Sequence, residues 1–203
     1  MLIMKKSILT FLAIISCSYI FAQFPVYNTL FADFKDGAYY KDATNELNKF
    51  EGRWLYTNGN TSFELILQKR IMQKRGKYYC DLLVGGYKYV ENGVVKVDWL
   101  NDVNIVYSQI YLHKVKGSHF LTSNQFPPVC NDCDPNERRL DVSIAEPHAV
   151  GRSYAFRYKT NVGSPDQIII QPSGRDMIVT SPGDPPKYYS LPFVLDFTLT
   201  KQP

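Results

Sequence analysis

Tyr87-Lys88-Tyr89-Val90-Glu91-Asn92-Gly93-Val94-Val95-Lys96-Val97 decides the fold of this chain. Tyr87 and Tyr89 stand two apart, and Val95 and Val97 repeat that spacing beyond Asn92-Gly93. A period of two puts alternate side chains on opposite faces of a strand. Asn-Gly accepts the positive φ angles of a tight turn, so the stretch predicts an antiparallel hairpin. Upstream, Tyr78 to Val84 predicts an incoming strand, and Gly85-Gly86 a bulge or sharp bend within it. Earlier still, Phe63, Leu65 and Leu67 alternate with Glu64 and Gln68. Asn58-Gly59-Asn60 is a turn, and Trp54 and Tyr56 share one face of a first strand. Asp42 to Phe50 predicts one short helix, capped by Asp42 or Thr44, with Leu47 and Phe50 facing the core.

Downstream, Val103, Ile105, Tyr107 and Gln109 predict one face of a further strand. Residues 117–137 break the rhythm, and Pro127, Pro128, Cys130, Cys133 and Pro135 predict a long loop. Leu140, Val142 and Ile144 start a second series of strands. Tyr154, Phe156 and Tyr158 continue it, followed by Ile168 to Ile170 and Met177 to Val179. Pro182, Pro185 and Pro186 predict a second rigid loop. Phe193, Leu195, Phe197 and Leu199 form a final amphipathic strand, suited to pair with the first and remove both edges. About nine short strands, one N-terminal helix and no crossover helices predict an all-β antiparallel meander, closed into a barrel or a clam of two sheets.

The N-terminus carries an address. Lys5 and Lys6 precede an apolar run, Ile8 to Phe21, that ends at Ala22-Gln23. A basic start, a short apolar middle and a small residue at the cut predict a signal peptide over residues 1–22. Residues 23–41 then form an irregular segment, and 42–203 a single domain. Ile14-Ile15-Ser16-Cys17 offers a second reading, a bacterial lipobox with Cys17 lipidated and the protein held at the outer membrane. The apolar run continuing past Cys17 favours the free, periplasmic or extracellular form.

The formal charge is +4 for the whole chain, and two of those charges, Lys5 and Lys6, leave with the leader. This balance implies no polyanionic partner. Lys69, Arg70, Lys74, Arg75 and Lys77 read as the solvated tip of a hairpin, or else as a contact with an anionic surface. No aromatic base-stacking pattern accompanies them, so a nucleic-acid partner is not expected.

Chemistry is sparse. His113, His119 and His148 are the imidazole bases on offer, and no serine sits in a Gly-x-Ser-x-Gly elbow. No catalytic motif emerges, and no cofactor is implied. Asp132, Asp134 and Asn136 match the first three ligand positions of a calcium loop. Glu137 then stands where such loops need glycine, and Ser143 where they need a bidentate glutamate. Cys80, Cys130 and Cys133 remain after the leader. In an oxidising compartment Cys130–Cys133 predicts a disulfide clamp, with Cys80 as the alternative partner and reduced or metal-bound thiols as a third possibility. A zinc site would need two ligands that no neighbour supplies.

Phe50-Glu51-Gly52-Arg53-Trp54, behind a short helix, resembles the Gly-x-Trp opening of lipocalins and avidins. That resemblance implies an up-and-down barrel with a small ligand inside. Avidins follow the tryptophan with Tyr-Asn, but Leu55-Tyr56 stands here, so biotin is not the implied ligand. The lipocalin Thr-Asp-Tyr motif is missing too. Across its length the chain, including Tyr87 to Gly93, is similar to an uncharacterised family of exported Bacteroidota proteins, which implies secretion and no known activity.

Three functions are therefore weighed. The first is a non-catalytic barrel whose interior, lined by Trp54, Tyr56, Phe63, Leu65, Tyr87, Tyr89 and Phe197, takes a small amphipathic ligand. The second is an interaction module with a filled core, presenting its proline-rich loops to an envelope protein. The third is a hydrolase with a histidine and a carboxylate meeting in a cleft.

Overall fold

A computed structural model of the chain describes residues 23–26, 34–122, 129–148, 151–173, 189–192 and 197–203. The leader with Cys17, the prolines 127, 128, 182, 185 and 186, Met177 to Val179, and Phe193 with Leu195 lie outside the described residues.

Eight strands form a closed antiparallel barrel. In chain order they are β3 (Gly52–Asn58), β4 (Thr61–Arg75), β5 (Tyr78–Glu91), β7 (Val115–Thr122), β8 (Arg138–Ile144), β9 (Arg152–Lys159), β10 (Gln167–Pro172) and β11 (Phe197–Gln202). Each pairs with its successor around the ring, β5 with β7 included, and β11 returns to β3 through Thr200↔Leu55, Lys201↔Trp54 and Gln202↔Arg53. Last strand on first strand is the closure that the terminal alternation predicts, and it leaves the ring without an open edge. Three of the described strands stay outside the ring. β1 (Gln23–Pro25) and β2 (Tyr39–Lys41) run parallel to each other, and β2 runs parallel to β5. β6 (Val94–Asp98) pairs only with β5.

The turns follow the local chemistry. Asn92 (φ 51°) and Gly93 (φ 79°) make the two-residue link between Glu91 and Val94. Gly76 (φ 62°) and Lys77 also make a two-residue link, from β4 to β5, inside the basic cluster. The short helix is a 3₁₀ turn over Glu46–Phe50, and the backbone N–H groups of Glu46 and Leu47 donate to the Asp42 carboxylate at 2.9 and 3.0 Å. Leu47 and Phe50 are buried. The described helical segments are all 3₁₀ turns of at most five residues.

Three expectations need correction. Gly85-Gly86 is not a bulge, since β5 passes through both in unbroken register with Leu67 and Ile66 of β4. A Cβ on Gly86 would collide with the carbonyls of Trp99 and Leu100, so glycine is there to let another backbone approach. The real bulge in that hairpin lies at Ile71-Met72 of β4, where the N–H of Met72 donates to Asp81 at 2.8 Å. Val103 to Gln109 is not a strand. A 3₁₀ turn over Leu100–Asn104 opens it, and Asp102 gathers the Tyr107 hydroxyl (2.7 Å), His113 Nδ1 (3.1 Å) and the Lys114 N–H (2.9 Å). A buried polar hub outweighs an apolar rhythm here. The predicted loop from residue 117 is strand as far as Thr122, with a bulge between Gly117 and His119.

The core follows from the alternation. Leu83 of β5, Val115 and Phe120 of β7, Leu140, Val142 and Ile144 of β8, and Tyr154 and Phe156 of β9 point inward to one cluster. Leu82 and Val84 point outward, to a second cluster under Val26, Ala38, Tyr40, Cys80 and Ile110. The barrel wall therefore has a buried patch on both faces where the N-terminal strands lie against it.

Candidate functional site

The seven side chains proposed from the sequence as a ligand lining sit together, packed against one another. Trp54, Phe63, Leu65, Tyr87, Tyr89 and Phe197 all belong to the barrel cluster, and Tyr56 packs on it. Phe197 stacks on Tyr56 with ring centroids 4.2 Å apart and tilts against Phe63 at 5.7 Å. Phe63 in turn meets Tyr87 at 5.7 Å. Trp54 is 0% exposed, and its indole N–H donates to the Phe50 carbonyl at 2.8 Å. The Tyr87 hydroxyl donates to the Ala145 carbonyl at 2.7 Å, which satisfies a polar tip that burial would otherwise penalise.

A pocket of about 180 Å³ lies elsewhere, on the outer face of the wall. Its floor is built from outward positions. Val84 pairs with Lys116, Lys116 with Ser143, and Ser143 with Ser153, a row that crosses β5, β7, β8 and β9. His119 pairs with Asp141 in the next row. Leu82, Ile110 and Tyr111 supply an apolar wall, the last two from a 3₁₀ turn over Ile110–Leu112. Arg75 arrives from the end of β4 and donates to the Ser118 hydroxyl at 2.9 Å.

The electrostatics of this pocket are lopsided. Lys116 Nζ donates to the His113 carbonyl at 3.2 Å. Among the described residues neither Arg75 nor Lys116 forms an ion pair. Burial, and after it the charges of Arg75 and Lys114, pushes the Lys116 ammonium below its ordinary value. Ser118 is buried, accepts from Arg75 and lies 3.2 Å from His119 Nδ1, so its oxygen is engaged within the wall. Of the other histidines, His113 is buried with its Nδ1 3.1 Å from Asp102 and does not line the pocket, and His148 is exposed.

The acidic loop is organised by an arginine. Arg157 donates to Asp132 Oδ2 at 2.7 Å and to Glu137 Oε2 at 2.9 Å. The Arg157 guanidinium holds the Asp132 carboxyl below the usual carboxylate range. Asp134 accepts from the N–H of Asn136 at 2.8 Å, a local turn. Of the calcium-like trio Asp132, Asp134 and Asn136, Asp132 is thus committed to an ion pair and Asp134 accepts from a backbone N–H. Cys130 and Cys133 are joined, with Cα atoms 5.3 Å apart, and Cys80 is a buried free thiol. The sulfur and carboxylate atoms of Cys130, Asp132 and Cys133 lie close enough to surround an ion, but bridged sulfurs are poor ligands.

The chain belongs to a family of unknown function (DUF6705). The family model matches residues 4–202. No curated protein and no solved structure matches the chain. Membership spans the barrel and every residue of the outer pocket, so wall, acidic loop and disulfide all fall within one family domain. Arg75 and His119 are noticeable in the sequence as part of a basic run and as a rare histidine. Lys116, Ser118, Asp141, Ser143 and Ser153 carry no motif. Their one signal is that polar side chains occupy outward positions of successive strands, and pairing register decides which of them meet.

Proposed function

We propose that this protein is an exported, non-catalytic barrel that binds a small ligand, and that the ligand seat is the outer pocket between Arg75, Ile110, Lys116 and Ser153. One observation carries the reading. Among the described residues the inward side chains pack in one cluster, whereas the outer wall holds a concave site with an apolar side and convergent polar groups. Export rests on the basic, then apolar, leader ending at Ala22, with cleavage giving Gln23 as the first residue or Cys17 if the lipobox is used. The clamp between Cys130 and Cys133 supports an oxidising compartment. The Gly52-x-Trp54 opening, with its tryptophan buried, supports kinship with lipocalin-type barrels.

Native mass spectrometry of the protein purified from its own envelope tests this reading. The expected spectrum shows a small adduct that disappears in Ser143→Trp, which fills the pocket. Apo mass alone, across envelope extracts, would argue against it. A second reading is an interaction module for an envelope protein, favoured by the exposed Val106, Tyr111 and Leu112. It predicts that Val106→Asp abolishes co-purification of a partner while Ser143→Trp leaves it intact.

A further inference from the structure

We infer that the outer pocket selects a small organic monoanion, a carboxylate on a short apolar or single-ring body. The inference rests on the binding reading above and names the ligand class for the same site.

The charge argument comes first. Arg75 and Lys116 both line the pocket, and among the described residues neither has a carboxylate in ion-pair range. Arg75 donates to the Ser118 hydroxyl and Lys116 to the His113 carbonyl, neutral acceptors that supply no countercharge. Two cations facing one concavity repel each other, and a folded protein gains nothing from that unless an anion comes between them. Asp141 lines the same pocket and subtracts one charge. By formal charge, Arg75 and Lys116 against Asp141 leave the lining one positive charge in excess. That matches a monoanion and disfavours a phosphate dianion, which Asp141 would repel.

Size and polarity narrow the class. A protein cavity of roughly 150 Å³ holds a benzene ring. This pocket, at about 180 Å³, has room for one ring or a short branched chain plus a carboxyl group. Leu82, Ile110 and Tyr111 provide the apolar surface for such a body, and Ser143 and Ser153 offer hydroxyl donors beside the cations. Arg75 is suited to a carboxylate because its planar fork presents two parallel donors, and Lys116 adds a point charge. Sugars and other neutral polyols would leave both cations without a counter-charge.

Titration calorimetry on the mature full chain, with sodium benzoate, benzyl alcohol and inorganic phosphate as probes, tests the class. The expected result is saturable benzoate binding, at least tenfold weaker binding of benzyl alcohol, and no displacement by equimolar phosphate. Lys116→Gln and Arg75→Gln should each weaken benzoate at least tenfold and leave benzyl alcohol unchanged. Because Arg75 also holds Ser118, its variant is read only where its thermal midpoint matches wild type, and Lys116→Gln carries the test otherwise. Benzoate and benzyl alcohol binding equally, or phosphate displacing benzoate, would overturn the anion inference while the pocket reading stands. Failure of every probe, together with a native adduct that survives Ser143→Trp, would sink both.

Discussion

Trp54 shows what one side chain does in this barrel. It sits at the start of β3, is fully buried, and anchors the 3₁₀ turn before it through the Phe50 carbonyl. Gly52 ahead of it has φ +117°, a backbone state that L side chains rarely adopt, so the chain bends there to bring the indole in. Trp54→Ala should cost about 3–5 kcal/mol in urea unfolding, since it removes a large buried ring and leaves a cavity. Trp54→Phe keeps most of the apolar area and should lose less, chiefly the hydrogen bond. Equal losses for the two variants would mean that the ring does not carry the effect. The tryptophan and its glycine are conspicuous in the sequence. The carbonyl partner is not, because it depends on how the turn closes.

At the scale of elements, glycine serves two purposes that composition cannot separate. Gly93 is required by backbone sign, with open space around its Cβ position, whereas Gly86 is required by proximity to Trp99 and Leu100. Gly93→Ala should therefore cost about 1–2 kcal/mol, the penalty of a left-handed backbone. Gly86→Ala should cost more, about 3 kcal/mol at the upper end of overpacking, because backbone carbonyls cannot swing aside. Thermal midpoints of the two variants check the order, and a reversed order would refute the close-approach reading. The basic run likewise splits into separate roles. Lys69 pairs with buried Asp42 at 2.7 Å, Arg70 donates to the Val103 carbonyl at 2.9 Å, and Arg75 enters the pocket. As sequence these residues look alike, and the β-bulge at Ile71-Met72 and the crossing of the 3₁₀ turn set them apart.

The whole molecule couples its two-sided wall to pH. Burial pushes the Cys80 thiol up from 9.0 to about 11, against the lesser opposing pull of Arg75. Burial likewise raises Tyr89 and Tyr158, each from 10.0 to about 12. At these three groups the folded state thus keeps protons that the unfolded chain releases, so their contribution to stability falls as pH rises through that interval. Urea midpoints should hold level from neutrality to about pH 9 and then decline, and Cys80→Ala should flatten the first part of the decline, between 9 and 11. A level profile to pH 11 in the wild type would show that these groups are not protected as their burial implies.

What the sequence determined by itself is local: the period of two, the sites of the Asn-Gly and Gly59 turns, and an amphipathic last strand able to close a ring. Each depends on neighbours along the chain, through backbone sterics and alternating faces. It could not determine whether the aromatic inner face would leave a hollow, since packing depends on how side chains from eight strands interlock. Nor could it bring Arg75 to Lys116, which are distant in the chain. Only the register of β5, β7, β8 and β9, and the layer laid over them, puts those two charges in one pocket.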